Sequence, residues 1–212
     1  MRFFAAGVHP HDAENGGAPV PDFERFIDSD GFAAFGEVGL DYYYGHSERK
    51  VQLRVFEEFA GLAARTGAPI IVHCRSDSDG TSAFDDTFDV LRELAADGGR
   101  FVLHCFTGDP EQVERFSELG AFFGVAGIVT FKKADNIRES IPRIPHGKLL
   151  LETDAPWLAP IPFRGKHNHS KHIPLIAEAV AGVLGRTTAE IAEETTANAL
   201  DLFADWKRKE KS

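Results

Sequence analysis

Long hydrophobic runs are absent from this 212-residue sequence, and none of its apolar stretches could span a membrane. The apolar stretch within Met1–Gly7 is too short for a signal peptide and ends at His9-Pro-His11. Cysteine is scarce: Cys74 and Cys105 each follow a histidine, and strand alternation predicts buried thiols on the opposite face, outside any disulfide. These absences favour a cytoplasmic protein with no membrane partner and no evident obligate protein partner.

An excess of basic residues is also lacking, since 23 Lys and Arg stand against 33 Asp and Glu, a net charge of −10. This charge argues against a broad basic surface for nucleic acid. It does not exclude a phosphodiester substrate, because bound divalent ions would reverse the local sign. A hydrophobic content of 43% is enough for one sizeable core, and we predict a single domain over residues 1–212.

Segments of strand length alternate with helical patterns along the chain. The six strand candidates are Arg2–Val8, Phe32–Asp41, Pro69–Cys74, Phe101–Phe106, Ala121–Gly127 and Leu149–Asp154. Helical patterns follow Ser47, cover about Phe84–Ala95, begin at Asp109-Pro110 and at Ser170, and begin again at the capping box of Thr187 and Glu190. This alternation is typical of an α/β fold, a parallel sheet with helical crossovers.

Four side chains of metal-binding type each close one of these apolar runs: Glu37, His73, His104 and Asp154. In a parallel α/β barrel, the carboxyl ends of the strands carry the active site. Two histidines and two carboxylates at that face indicate a metal-dependent hydrolase. A closed barrel has eight strands and about 250 residues. The sequence therefore predicts a TIM-type barrel that is incomplete at the N-terminus, with about six of eight strand–helix units.

Seven short motifs occur in a fixed order along the chain. They are Gly7-Val-His-Pro-His11, Gly36-Glu-Val-Gly-Leu-Asp-Tyr42, Val72-His-Cys-Arg75, Leu103-His-Cys-Phe-Thr-Gly108, Glu152-Thr-Asp-Ala-Pro-Trp157, Arg164-Gly-Lys166 and Asn198-Ala-Leu-Asp-Leu-Phe203. As an ordered set covering nearly the whole chain, they resemble the TatD family of metal-dependent deoxyribonucleases. The resemblance implies a TIM-type barrel, two divalent metal ions and hydrolysis of DNA phosphodiesters, typically from a strand end.

The match also assigns roles to the strand-end residues. Glu37 corresponds to the carboxylate that bridges both metals, His73 and His104 to ligands of the second metal, and Asp154 to a ligand of the first. Glu37 and Asp154 are thereby the catalytic carboxylates, and Asp154 could orient or deprotonate the attacking water. Two imidazoles with a carboxylate suit Zn, Mn or Fe, but added carboxylate and phosphate oxygens keep Mg possible.

Substrate contacts are expected from a second group of residues. His9 could contact a phosphate or cap a strand, and the guanidinium fork of Arg75 suits two phosphate oxygens. Arg164 and Lys166 lie in a basic stretch that reads on charge alone as a solvated loop, although its place after the Asp154 strand puts it over the site. The aromatic residues Trp157, Phe106 and Tyr42–Tyr44 could stack on bases or pack around the barrel mouth. Asp41 is expected to order its loop.

Two departures from the family pattern stand out. The family has a His-x-His pair on its first strand, and this sequence has none before Gly7, so the first two strand–helix units have no counterpart here. After Arg164-Gly-Lys166 the family usually continues Arg-Asn-Glu-Pro, whereas this chain reads His167-Asn-His-Ser170. Two alternatives therefore stay open: a hydrolase of C–N bonds on the same barrel, and a truncated relative that binds metal weakly and catalyses little.

Overall fold

The computed structural model of the chain describes residues 3–15, 19–77 and 82–204. Arg2, the first residue of the first predicted strand, lies outside the described residues. The described residues form two compact units, one within 3–103 together with 201–204, and the other over His104–Leu200. One domain over 1–212 stays a prediction.

Parallel strands and their crossover helices build the first unit. Its strands are β1 (Phe4–Ala6), β2 (Phe32–Asp41), β3 (Ile70–Arg75) and β4 (Phe101–Leu103), paired in that order. Helices α1 (Arg49–Thr66) and α2 (Ser82–Ala96) connect β2 to β3 and β3 to β4, and 3-10 helices cover Pro10–Asp12 and Val20–Phe26. The described part of this unit therefore follows the strand–helix alternation predicted from the sequence.

The second unit repeats the same alternation. It contains α3 (Pro110–Ser117), β5 (Phe122–Val125), α4 (Asp135–Ser140), β6 (Leu149–Leu151), α5 (Ile173–Leu184) and α6 (Thr188–Phe203), whose last turn counts with the first unit. Strands β5 and β6 pair in parallel, and 3-10 helices cover Gly127–Thr130, Ile141–Arg143 and Ser170–His172. All six predicted strands and all five predicted helices are present, whereas α4 was not predicted.

Local capping chemistry sets two of the helix starts. The Asp109 carboxylate accepts the N–H of Gln112 at 3.0 Å, and the Gln112 side chain accepts the N–H of Asp109 at 2.8 Å. At α6 the side chains of Thr187 and Glu190 make the same exchange. Both predicted N-termini are confirmed, because these hydrogen bonds satisfy donors that a helix start leaves without partners.

Four predicted strands end earlier than expected, β1 and β5 by two residues and β4 and β6 by three. Strand β4 stops at Leu103 instead of Phe106, and β6 stops at Leu151 instead of Asp154. Cys105 and Asp154 have φ angles of 44° and 54°, and this left-handed backbone cannot continue a strand. The alternation argument for Cys105 is therefore wrong, since that residue lies in a turn. Neither cysteine forms a disulfide, and both are half-buried.

Aromatic residues fill the core of the first unit. Phe35 of β2 and Phe56 and Phe59 of α1 are fully buried. The Phe59 ring lies 6.0 Å from that of Phe35 and 5.1 Å from that of Phe23. Burying each such side chain stabilises the fold by about 1.5–3 kcal/mol. The result is a rigid support beneath β2, the strand that carries Glu37 and Asp41.

The second unit has a core of aliphatic side chains. Val125 of β5 and Leu149 of β6 pack with Ile176 and Val180 of α5 and Ile191 of α6. Among the helices of the described residues, none combines the length and apolar character needed to cross a bilayer.

Candidate metal centres

In the first unit, His9, Glu37 and His73 bring their donor atoms together. One ligand atom from each lies within 4.8 Å of the other two, and all three residues are half-buried. His9 follows β1, Glu37 lies within β2, and His73 lies within β3. The arrangement therefore gathers two imidazoles and one carboxylate from β2, β3 and the segment after β1, residue types that suit a first-row divalent ion.

An irregularity in β2 places Glu37. The pairing of β2 with β3 shifts between Phe35 and Val38, so that Gly36 and Glu37 fall in a bulge. Gly39 has a φ of 135°, and a Cβ there would lie 2.1 Å from the carbonyl oxygen of His73. Only glycine permits this approach. Oε1 of Glu37 consequently lies 2.7 Å from Nδ1 of His73.

Two carboxylates hold the His73 ring from its two nitrogens. Nε2 of His73 lies 3.0 Å from Oδ2 of Asp41 and Nδ1 lies 2.7 Å from Oε1 of Glu37. Burial alone would raise the pKa of Asp41, but hydrogen bonds from His73, the Tyr44 N–H and His11 hold it well below its usual range. Asp41 is thus an ionised acceptor that requires Nε2–H on His73.

Either a proton or a cation consequently lies between Nδ1 of His73 and the Glu37 carboxylate. Burial lowers the pKa of His73, but the hydrogen bonds with Asp41 and Glu37 outweigh it and raise the pKa. With the proton removed, the Nδ1 lone pair and the Glu37 oxygen would face each other at 2.7 Å. A divalent ion replacing that proton would relieve the repulsion, so these residues fit a metal ion.

Asp41 is the buried hub of this unit. Its side chain is fully buried, and Oδ2 also lies 2.9 Å from Nε2 of His11. Oδ1 accepts the backbone N–H groups of Tyr43 and Tyr44 at 3.0 and 2.9 Å. Gln52 binds the backbone of Asp41 from both sides, accepting its N–H at 2.7 Å and donating to its C=O at 3.0 Å. Asp41 orders its loop, as expected, and also orients His73.

His9 caps a 3-10 helix through Nδ1 and turns Nε2 toward Glu37. Its Nδ1 accepts the backbone N–H of His11 at 3.2 Å and so caps the 3-10 helix Pro10–Asp12. Burial and the neighbouring His73 lower the pKa of His9, which favours the neutral ring with its hydrogen on Nε2. That atom lies 3.9 Å from Oε1 of Glu37. His9 therefore caps a 3-10 helix and not the strand that was expected, and its predicted phosphate contact stays a prediction.

In the second unit, His104 stands between two carboxylates. Its Nδ1 lies 2.9 Å from Oε2 of Glu152, and its Nε2 lies 3.6 Å from Oδ1 of Asp154. The other oxygen of Glu152 accepts the backbone N–H of Cys105. A carboxylate that accepts Nδ1–H leaves the Nε2 lone pair directed elsewhere, as in carboxylate–histidine–metal triads. His104 and Asp154, both predicted as ligands, therefore lie together.

The backbone around Asp154 is fixed from the loop that follows it. The buried side chain of Asn168 donates to the carbonyl oxygen of Thr153 at 2.7 Å, and its Oδ1 accepts from Nδ1 of His172 at 2.8 Å. His167, His169 and Ser170, where the chain departs from the family pattern, are exposed. The departure therefore spares the one buried residue in that segment.

The basic residues predicted to contact substrate are exposed. The guanidinium of Arg75 lies over the rings of Tyr43 and Tyr44, and that of Arg164 lies 4.4 Å from the ring centroid of Phe131. Lys166 is exposed in a turn closed by its N–H to the carbonyl of Phe163 at 3.0 Å. Substrate binding by these residues stays a prediction.

The aromatic candidates divide by exposure. Tyr42 and Phe106 are buried, whereas Tyr43, Tyr44 and Trp157 are more than half exposed. The hydroxyl of Tyr42 donates to Asp86 at 2.6 Å, so that ring supports the fold. Base stacking therefore remains possible for the three exposed rings alone in this group.

Sequence reasoning missed Glu152 and His11 as site residues. Glu152 precedes Asp154 by two positions within the Glu-Thr-Asp motif, and His11 forms a His-x-His pair with His9. Both spacings were visible in the sequence, but only the folded chain shows that each residue contacts a candidate ligand or its partner.

Comparison with known proteins places the chain among metal-dependent hydrolases. Residues 2–204 match the family model described as TatD related DNase. The chain is 38% identical to the uncharacterized metal-dependent hydrolase YcfH of Escherichia coli K12, covering 94% of this chain and 73% of that protein. It is 35% identical to the 3'-5' ssDNA/RNA exonuclease TatD of Erwinia tasmaniensis, over 93% and 76% of the two chains.

The fold has a solved counterpart. The crystal structure of YJJV, a TatD homologue from Escherichia coli K12, matches with a TM-score of 0.84 at 28% identity, covering 95% of this chain and 76% of the other. The described residues contain six parallel strands that alternate with helices, which agrees with that match. The predicted fold class, a TIM-type barrel represented by six strands, is thereby confirmed.

Proposed function

The chain belongs to the TatD related DNase family of metal-dependent hydrolases, and from that premise we propose that it hydrolyses phosphodiester bonds of DNA from a strand end. The observation that carries the proposal is the position of the His73 ring between Glu37 and the buried carboxylate of Asp41. That arrangement fixes one imidazole nitrogen as a donor and turns the other toward Glu37. The relative from Erwinia tasmaniensis, named as a 3'-5' exonuclease of single strands, supports this substrate class and polarity.

Two groups of donors would hold the divalent ions. Glu37 and His73 supply a carboxylate and an imidazole in the first unit, and His104 and Asp154 supply the same pair in the second. Divalent ions bound to such ligands acidify a water and stabilise charge on the attacking and leaving oxygens. Mn and Zn suit this nitrogen-containing set, and Mg becomes suitable when substrate phosphate adds oxygens.

The protein's own groups supply the remaining chemistry. The Asp154 carboxylate, held by the fixed backbone at Thr153, orients the attacking water or removes its proton. Glu152 and Asp41 keep His104 and His73 in the ligand tautomer. His9 offers Nε2–H to a phosphate oxygen.

Arg75, Arg164 and Lys166 would provide positive charge for substrate binding in a chain whose net charge is negative. All three are exposed and carry donors suited to phosphate oxygens. In a protein of net charge −10, these local cations would act together with the bound ions to attract a polyanion.

A nuclease assay tests the proposal. The metal-stripped protein is supplied with Mn, Mg or Zn and a single-stranded oligonucleotide labelled at its 5' or 3' end. We expect stepwise shortening from one end, abolished by EDTA and by Glu37→Gln or Asp154→Asn, but unchanged by His146→Ala, whose ring is exposed in the second unit. A cyclic amide serves as the competing substrate. Turnover of the amide without cleavage of DNA would replace this proposal by a C–N hydrolase, and turnover of neither would indicate a catalytically weak relative.

A further inference from the structure

Two tyrosine rings stand in solvent directly after β2. Tyr43 and Tyr44 are 56% and 51% exposed, and their ring centroids lie 5.0 Å apart at an interplanar angle of 87°. The two rings are therefore nearly perpendicular, and each side chain keeps about half of its surface in contact with solvent. Large aromatic side chains exposed as a pair carry a cost in water that a binding partner would remove.

Buried hydrogen bonds fix the backbone beneath these rings. Asp41 accepts the N–H of Tyr43 and the N–H of Tyr44, and Gln52 clamps the Asp41 backbone. The hydrogen bonds hold both tyrosines at the surface, whereas Tyr42 beside them is buried. The exposed pair is therefore presented by a rigid base, which lowers the entropy cost of binding a ligand.

Arg75 joins the pair without using its hydrogen-bond donors. Its guanidinium carbon lies 4.6 Å from the centroid of Tyr43 and 4.8 Å from that of Tyr44. A cation–π contact with the rings does not require an oxygen acceptor for the guanidinium N–H groups. Across residues 3–15, 19–77 and 82–204, Arg75 makes no ion pair with a carboxylate. The fork is thus presented to a ligand anion.

The same carboxylate connects this surface to the candidate metal centre of the first unit. Oδ1 of Asp41 holds the two tyrosine amides, while Oδ2 contacts His73 and His11. The Tyr44 ring also lies 5.4 Å from that of His11 and is stacked with His46 at 5.7 Å. A group bound on the tyrosines would therefore lie near His11, whose ring is 6.2 Å from that of the proposed ligand His73.

We infer that Tyr43, Tyr44 and Arg75 form a nucleotide subsite for an unpaired residue of a single strand. A tyrosine ring stacks on the base, and the Arg75 fork binds the adjoining phosphate. The base must be unpaired because the faces of a duplex base are already covered by its neighbours. This inference rests on the proposed function and names the part of the substrate that the first unit recognises.

Equilibrium binding separates the base from the backbone. The probe is a fluorescein-labelled oligothymidylate, compared with an abasic strand of the same length, and binding is followed by anisotropy in Mg²⁺ on the Asp154→Asn protein, which prevents hydrolysis. In that background, Tyr43→Ala with Tyr44→Ala should weaken binding of the thymidylate strand about tenfold or more. Binding of the abasic strand should change by less than about twofold, because it has no base to stack.

Matched variants give the test its controls. The double variant Tyr43→Phe with Tyr44→Phe keeps both rings and should bind like the parent. The double variant Tyr43→Leu with Tyr44→Leu, called the leucine pair, has apolar bulk without a ring and should bind like the double alanine variant, called the alanine pair. Phe3→Ala removes another exposed aromatic ring of the first unit, one that precedes β1, and should change nothing. Arg75→Gln should weaken both strands alike.

Equal binding of the thymidylate strand by the parent and by the alanine and leucine pairs would overturn the subsite. Thermal melting identifies a variant that is not folded. If the alanine pair does not fold, binding of the thymidylate strand by the leucine pair decides the test. Failure of the proposed function would look different, since the wild-type protein would not cleave DNA even though its tyrosine variants lost base-dependent binding.

Discussion

Nδ1 of His104 lies 2.9 Å from one carboxylate oxygen of Glu152, whose other oxygen accepts the backbone N–H of Cys105. Glu152 therefore acts as an acceptor at both oxygens and fixes the hydrogen of His104 on Nδ1. Nε2, the nitrogen that faces Asp154, carries the lone pair that a metal ion requires. Glu152 is a positioning residue because it acts through His104.

Glu152→Gln should therefore weaken metal binding while leaving the fold intact. An amide has one acceptor oxygen, so its NH2 must face either His104 or the N–H of Cys105. We expect metal affinity or metal-dependent activity to fall about 10–100-fold. Calorimetric titration with Mn²⁺ measures the affinity, and circular dichroism checks the fold. Unchanged affinity in a folded variant would contradict the role of Glu152.

His73→Ala should remove metal binding from the first unit. The ion would replace a proton on Nδ1, and the pKa of His73 is raised by its carboxylate partners although burial opposes them. Metal affinity should therefore fall as the pH drops through a value above the ordinary histidine pKa of about 6.5. Calorimetry in two buffers of different ionisation enthalpy detects the released proton.

The control for this experiment is His146→Ala. That ring is 89% exposed in the second unit, and its loss should change neither stoichiometry nor proton release. If His73→Ala and His146→Ala bind metal equally well, His73 is not a ligand.

Asp41→Asn should destabilise the protein. An amide has one acceptor oxygen, so its NH2 group would face either Nε2–H of His73 and His11 or the N–H groups of Tyr43 and Tyr44, in a position that is fully buried. Leaving these donors without an acceptor costs about 2–3 kcal/mol of unfolding free energy. Urea denaturation measures the change. Asp89→Asn breaks the exposed ion pair of Asp89 with Arg92 and should cost less than about 0.5 kcal/mol. Equal stability of the two variants would argue against Asp41 as the hub.

Glu194 should make part of the stability of the protein depend on pH. Burial raises its pKa, but hydrogen bonds from Arg186 and the Gly147 N–H, with nearby charge, lower it below the ordinary 4.5. A lowered pKa in the folded state gives stability that is present above 4.5 and is lost as the pH falls through the folded value. The advantage of the wild type over Glu194→Gln should accordingly shrink below that pH.

Urea denaturation at several pH values measures this difference. Glu139→Gln removes the same charge from an exposed position of α4 and should follow the wild type throughout. A constant gap between the wild type and Glu194→Gln from pH 7 to the acid range would disprove the linkage.

Much of the fold was readable from the sequence because its signals are local. Apolar runs located every strand, and the caps at Asp109 and Thr187 located two helix starts, since these hydrogen bonds span only three residues. The six-residue helix α4 was missed because it is too short to show a helical period. The ends of β4 and β6 were misplaced because Cys105 and Asp154 adopt a left-handed backbone, a conformation that is expected mainly at glycine.

The sequence predicted His104 and Asp154 at strand ends, where they lie, but Glu37 and His73 lie within β2 and β3, and the protonation states of the histidines could not be predicted. His73 is oriented by Asp41 across 32 positions of the chain, and His104 by Glu152 across 48. No periodicity or spacing rule connects such pairs, because their contacts arise from tertiary packing. The candidate residues thus came from topology, and their protonation states from the folded structure.

Asn168 is the buried position of the loop after β6, and its neighbours in the loop are exposed. Its amide ties the loop to the carbonyl before Asp154 and to His172, while the residues on either side of it face solvent. Substitutions at the outer positions can thus accumulate without displacing the carboxylate. Under the proposed function, changes at these outer positions would alter the surface offered to substrate and leave the reaction centre where it is.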